Sequence, residues 1–260
     1  MDLQLTNQVI LITGGAKGIG EACTQAIAKE NAIACILGRN PAEAASLCDW
    51  ANTLSLQVES YSCELTDPNS IQLAVQLLLE KHGRIDGVVN NAGVNDGVGL
   101  RDSVEAFRAS LEKNLVPAFA LVRACLDSLI QSKGAIVNIS SKCASTGQGG
   151  TSGYVASKGG LNGLTREWAL DLAKFGIRVN CVVPAEVMTP MYSKWIQTRA
   201  NPSETLLKIE KSIPLGNRMT KAQEIAEMVA FLLSSCSSHT TGQILYVDGG
   251  YTHFDRAYSN

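Results

Sequence analysis

The chain has no apolar run approaching the ~18 residues of a membrane-spanning helix, and its opening residues, Met1–Gln8, are polar and carry no signal-peptide pattern. It has no excess of either charge: 22 Lys plus Arg stand against 24 Asp plus Glu, a formal net charge of −2. That balance gives no electrostatic reason to expect nucleic acid or an anionic membrane as partner. There are eight cysteines but no C-x-x-C pair and no metal-ligand spacing. Several of them, such as Cys35 and Cys181, sit inside apolar runs, where a thiol acts as a small hydrophobe. Reduced structural cysteines, no metal and a cytoplasmic setting are therefore expected. Internal repeats, low-complexity tracts and linkers are absent too. With 45% hydrophobic residues over 260 positions, one α/β domain spanning 1–260 can bury a full core.

What is present is alternation. Val9–Thr13, Ala32–Leu37, Leu56–Cys63, Gly87–Asn90, Ala135–Ile139, Arg178–Val183 and Ile244–Val247 read as strands. Between them Gly18–Glu30, Pro41–Leu54, Pro68–His82, Ser103–Leu129, Tyr154–Lys174, Thr189–Glu210 and Lys221–Ser234 read as helices. Near-continuous apolar strands separated by helices predict a parallel sheet covered on both faces. Right-handed connections make that a single-domain, Rossmann-like, doubly wound α/β fold. The stretch 190–214 is polar, carries proline, and interrupts the rhythm. It is the expected substrate lid.

The first strand runs into Thr13-Gly14-Gly15-Ala16-Lys17-Gly18-Ile19-Gly20 and then a helix. Glycines let the backbone turn sharply and approach a pyrophosphate, and the helix N-terminus offers unpaired N–H groups to the anion. About 20 residues on, where an NAD-binding strand usually ends in a carboxylate, stand Gly38 and Arg39. No acid is read there to repel a 2′-phosphate, and Lys17 adds a second cation. NADP is favoured, with NAD the alternative in which Arg39 only stacks on adenine.

Tyr154 and Lys158 lie one helical turn apart in Tyr-Val-Ala-Ser-Lys, so phenol and ammonium share a face. A lysine cation with a nicotinamide charge nearby is expected to lower the phenol's pKa from ~10 by ~3, worth ~4 kcal/mol. That tuning suits a general acid–base. Ser141, thirteen residues before Tyr154, follows a strand end, and its hydroxyl can hold the reacting oxygen.

Glycines at 14, 18 and 20, the Ser141–Tyr154–Lys158 spacing and Asn90-Asn91-Ala92-Gly93 together resemble the short-chain dehydrogenase/reductase family, along essentially the whole chain. The resemblance implies an NAD(P)-dependent oxidoreductase with Asn114, Ser141, Tyr154 and Lys158 catalytic, Asn114 positioning a water behind the lysine. It implies cofactor contacts from Gly14, Lys17, Gly18, Ile19, Gly20, Arg39, Leu65, Asn91, Ala92, Gly93, Tyr154, Lys158, Pro184, Val187 and Thr189. Ala185 departs from the family's proline–glycine pair. It also implies a homotetramer built on the long helices, and the aromatic tail with Tyr251, Phe254 and Tyr258 suits docking on a neighbour.

The stretches around Asn95, Lys142, Gln148 and Glu186 resemble the sugar-oxidising branch, the bacterial L-fucose dehydrogenases. Those oxidise the anomeric carbon of an aldose to a lactone. Asn95, Ser141, Lys142, Gln148, Tyr154, Glu186, Met191 and Trp195 are the expected sugar contacts, polar groups meeting hydroxyls while Met191 and Trp195 cover an apolar face. Two other readings stand beside this one: a carbonyl reductase acting on 3-oxoacyl substrates, and a cofactor-binding scaffold without catalysis.

Overall fold

Seven short strands, most of them apolar, pair side by side in a computed structural model that describes residues 2–253. They are β1 (Val9–Thr13), β2 (Ile33–Gly38), β3 (Gln57–Ser62), β4 (Gly87–Asn90), β5 (Ala135–Ile139), β6 (Arg178–Pro184) and β7 (Ile244–Val247). All pairings are parallel and the order is β3-β2-β1-β4-β5-β6-β7. β1, β4 and β5 are buried at every position, as a sheet covered on both faces demands. Alternate residues face opposite layers: Val9 and Leu11 join one core cluster, Ile10 and Ile12 the other.

The helices are α1 (Gly18–Lys29), α2 (Pro41–Thr53), α3 (Pro68–His82), α4 (Val104–Asn114), α5 (Val116–Ser132), α6 (Ser152–Ala173), α7 (Pro190–Gln197), α8 (Pro202–Lys211) and α9 (Ala222–Leu233). Buried residues of α3, α5 and α6 fill one layer, and those of α1 and α9 the other. The predicted Rossmann-like doubly wound sheet is the observed one. Strand order reverses between β1 and β4, so a crevice opens beyond their carboxyl ends.

Two helices read as continuous are each broken. Ser103–Leu129 divides at Leu115 (φ −124, ψ −52), two residues before Pro117, which has no N–H to continue the ladder. Thr189–Glu210 divides into α7 and α8 ahead of Pro202. Together α4 and α5 span Val104–Ser132, within which an 18-residue stretch with a mean hydropathy of 1.3 is apolar enough for a membrane crossing. That span is not one apolar run, since Arg123 and Asp127 fall inside α5 and the helix breaks at Leu115. Here Leu121, Cys125 and Leu129 of that stretch are buried in the core beneath the sheet. Phe254 and Tyr258, expected to dock on a neighbour, lie outside the described residues.

Candidate active site

At the end of β1 the chain makes a cradle that only glycine can form. Gly14 (φ +64) and Gly18 (φ +58) lie in the left-handed region. A Cβ on Gly20 would sit 2.2 Å from the Gly14 carbonyl oxygen and 2.6 Å from Asn91 Nδ2. Asn91 Nδ2 donates to the carbonyls of Thr13 (2.9 Å) and Gly14 (3.4 Å). Thr13 Oγ1 accepts from the amides of Asn91 and Ala92, each at 3.0 Å. From the other side Thr24 Oγ1 shares its proton between the carbonyls of Gly15 (2.9 Å) and Gly20 (3.0 Å). Thr13 and Thr24 were not singled out in the sequence.

Lys17 precedes α1 without a side-chain cap, so the first-turn N–H groups stay free for an anion. Thr189 lies against the cradle, its Cγ2 3.2 Å from where a Gly18 Cβ would be. Its hydroxyl, however, caps α7 by accepting from the Tyr192 amide at 3.2 Å. Ile19 and Leu65 pack against the core clusters, and Val187 is buried and bridges to Thr220. Pro184 ends β6. Uncapped N–H groups beside a floor that no Cβ can enter fit a dinucleotide pyrophosphate.

The adenosine end brings in a carboxylate from outside the strand-end position read in the sequence. Nothing lies within 4 Å of a Cβ built on Gly38, and Arg39 is exposed. But a carboxylate does stand here: Glu43, in the first turn of α2, pairs with Lys17 at 2.6 Å. The hydrogen bond and charge of Lys17, with Arg39 nearby, hold Glu43 below the usual carboxylate range. α2 folds it back against a cation expected to meet a 2′-phosphate.

β5 and α6 bring Ser141, Tyr154 and Lys158 together. Ser141 follows β5 and its Oγ accepts from the Cys143 amide at 3.5 Å. Lys158 is 2% exposed. Its Nζ donates to the Ile139 carbonyl at 2.7 Å, and its own carbonyl accepts from Ser140 Oγ at 3.0 Å. That Nζ lies 5.6 Å from the Tyr154 ring centroid.

Burial pulls Lys158 down to about 8. It pushes Tyr154 above the ordinary tyrosine range, with the Cys143 thiol adding to the rise and the Ser141 hydroxyl opposing it. In the protein alone desolvation sets that direction; the fall expected from the sequence is one for the phenol beside a bound nicotinamide. Asn114 keeps its side chain bonded within the protein. Its Oδ1 accepts from the Val94 amide at 2.6 Å and its Nδ2 donates to the Ser110 carbonyl at 3.0 Å, so the side chain is committed. The helix break instead frees its backbone carbonyl, since the Ala118 amide turns to Leu115 at 3.2 Å. Gly93 sits between the two groups: a Cβ there would lie 3.1 Å from Asn114 Oδ1 and 3.3 Å from Lys158 Nζ.

Behind this face a buried chain runs from Asn90 Nδ2 to Asn138 Oδ1 (2.8 Å) and from Asn138 Nδ2 to Thr165 Oγ1 (2.9 Å). The signal was available, because a polar residue inside an apolar parallel strand must find a buried partner.

Of the expected sugar contacts, Lys142 and Glu186 meet each other. Lys142 Nζ bonds Glu186 Oε1, and Glu186 Oε2 accepts from Tyr192 Oη at 2.5 Å. Lys142 Nζ also lies 4.0 Å from the Tyr251 ring centroid. Tyr192 was not foreseen as a site residue, and Tyr251 was read only as a docking aromatic. Asn95 is turned to its own loop, Oδ1 accepting from the Gly97 amide at 3.3 Å. Gln148 is exposed, and Met191 and Trp195 are 52% and 41% exposed on α7.

Elsewhere Cys35, Glu59 and His82 bring metal-ligand atoms within 4.8 Å of one another. Yet the Glu59 oxygens already accept from Tyr61 (2.7 Å), Lys81 (2.9 Å) and His82 (3.1 Å).

Comparison with known proteins gives matches along almost the whole chain. The family model described as enoyl-(acyl carrier protein) reductase matches residues 14–252. The 3-oxoacyl-[acyl-carrier-protein] reductase of Thermotoga maritima is 38% identical over 250 residues, 95% of this chain and 99% of that protein. The L-fucose dehydrogenase of Rattus norvegicus is 32% identical over 247 residues, 94% and 89% of the two chains. Among solved structures, the Cj0485 dehydrogenase superposes with a TM-score of 0.94 at 43% identity, covering 99% of this chain and 98% of its own. The ligand-free aldohexose dehydrogenase of Thermoplasma acidophilum does so at 0.87 and 30%, covering 97% and 96%.

Proposed function

The chain belongs to the short-chain dehydrogenase/reductase family of NAD(P)-dependent oxidoreductases, and we propose that within it the protein oxidises the anomeric hydroxyl of an aldose, such as L-fucose, to a lactone. Tyr154 takes the hydroxyl proton, and Ser141 holds the reacting oxygen beside the phenol. Lys158, fixed on the Ile139 carbonyl, keeps a positive charge next to Tyr154. Gly14–Gly20 and the uncapped start of α1 hold the pyrophosphate. When bound, the nicotinamide supplies the hydride acceptor. Its positive charge, added to that of Lys158, opposes the desolvation that raises the phenol's pKa.

The observation that carries the aldose reading is Lys142. It follows Ser141 in the chain, is shielded at the mouth of the site, and gives Glu186 only part of its three-donor capacity. A donor in that place suits a substrate bearing several hydroxyls. Relatives that act on L-fucose and on aldohexoses at 32% and 30% identity lend support.

A second reading, a reductase of 3-oxoacyl substrates, is favoured by the 38% identical relative. The assay is a panel: L-fucose, D-arabinose and L-galactose with NADP and NAD, and an acetoacetyl thioester with NADPH. Sugar-dependent cofactor reduction supports the proposal; thioester-dependent NADPH oxidation with no sugar turnover replaces it. The eight cysteines, all unpaired, fit the reducing cytoplasm. A homotetramer is carried forward as part of the proposal, the large exposed apolar residues Phe119 and Leu170 lying on α5 and α6.

A further inference from the structure

The segment after β6 makes two contacts that its polar sequence does not announce. Thr189 lies on Gly18 of the cradle, and three residues later Tyr192 Oη reaches Glu186 Oε2 at 2.5 Å. The other Glu186 oxygen holds Lys142, the residue after Ser141. The first turn of α7 is thus tied at one side to the phosphate loop and at the other to the loop of the reacting serine. Glu186 is 8% exposed and has each oxygen on a different element. Farther along α7, Tyr192 stacks edge-on against Trp195 (centroids 5.1 Å apart), and the Arg199 guanidinium lies 4.5 Å from the Trp195 centroid.

We propose that Glu186 is a positioning residue, a latch that docks helix α7 on the Ser141 loop through Tyr192 while aiming Lys142 at the substrate. This rests on the proposed function, with α7 taken as part of the lid expected over 190–214. Glu186 itself is then no sugar contact, because both oxygens serve protein donors. Burial pulls Lys142 below its ordinary pKa, and the carboxylate against it keeps the ammonium tenable in a desolvated place. The Tyr251 ring, from the turn closed by Asp248 through the amides of Gly250 and Thr252, fixes the same ammonium from the far side.

The test is Tyr192→Phe, which keeps the ring and removes only the hydroxyl. A lost hydrogen bond to a carboxylate corresponds to about tenfold or more. The KM for the sugar should therefore rise about tenfold, with kcat within about twofold and the cofactor Kd unchanged. Acrylamide quenching of Trp195 fluorescence, taken against a Trp195→Phe blank, should increase in the cofactor-bound protein. Lys142→Met with Glu186→Gln, which removes both charges together, should give the same rise in quenching. An unchanged quenching constant overturns the latch whatever the substrate proves to be. A loss of cofactor affinity and melting temperature in step with KM also overturns it, since that marks general loosening. Because the quenching arm needs no turnover, it separates this proposal from the aldose reading.

Discussion

Lys158 places an ammonium where burial penalises charge, and the penalty can be measured. Its pKa falls from 10.5 to about 8 through desolvation, equivalent to about 3 kcal/mol of native-state destabilisation while it is protonated in both states. Below pH 8 folded and unfolded chains both carry the proton and the full penalty applies. Between pH 8 and 10.5 the unfolded chain binds more protons, so the lysine's contribution to stability rises with pH. Integrating from pH 7 to 9.5 gives a gain of about 2 kcal/mol.

Lys158→Met removes the titration while keeping an unbranched chain. It also strips the Ile139 carbonyl of its donor, a loss of about 1–3 kcal/mol, so the sign of the change at pH 7 alone decides nothing. The slope decides. Cys23, pushed up to about 12, and Cys181, to about 11, hold their protons when folded and lose them when unfolded. Absolute stability of both proteins therefore declines above the ordinary thiol value, a trend that cancels in the difference. Denaturant unfolding of cofactor-free protein, under reductant at pH 7, 8, 9 and 9.5, should show wild type gaining about 2 kcal/mol on Lys158→Met. A difference flat across that range would refute the argument that the ammonium is desolvated in the native state.

Other perturbations follow from the same site. Tyr154→Phe should lower turnover by about 10²–10⁴-fold with cofactor affinity unchanged in a fluorescence titration; surviving turnover would remove Tyr154 as the acid–base. Glu43→Gln releases Lys17 for a 2′-phosphate, so the kcat/KM ratio of NADP over NAD should rise several-fold, more at low salt than at high. No shift would mean that Lys17 lies outside the ribose site. Gly20→Ala pushes a Cβ to 2.2 Å from the Gly14 carbonyl. NAD(P)H binding followed by fluorescence should disappear, in a protein that is either folded with a displaced loop or destabilised.

Which parts of this molecule could be read from sequence depends on how far apart in the chain the cooperating residues lie. The strands were legible because a parallel sheet buried on both faces needs near-continuous apolar runs, and Val9–Thr13, Gly87–Asn90 and Ala135–Ile139 come close to that. Helix starts were legible where proline opens them, at Pro41 and Pro68. The breaks at Pro117 and Pro202 carried the same signal but were outweighed by the apolar periodicity running through them. The glycine cradle and the pairing of Tyr154 with Lys158 are local, set by turn chemistry and helical spacing.

Glu43 on Lys17 and Tyr192 on Glu186 could not be read that way. In each case a helix start turns the chain back, and the meeting depends on how that helix sits on its neighbours. Local rules still left a trace, because positions that break them cluster at the site. A lysine lies buried in α6, asparagines interrupt the apolar strands β4 and β5, and α1 starts without a cap. Each departure leaves a group facing the crevice or supporting one that does, as expected where function overrides local consistency. Glu186 could be singled out in the sequence, but its pairing with Lys142 and Tyr192 depends on how separate segments pack, which is why only the folded chain reveals it.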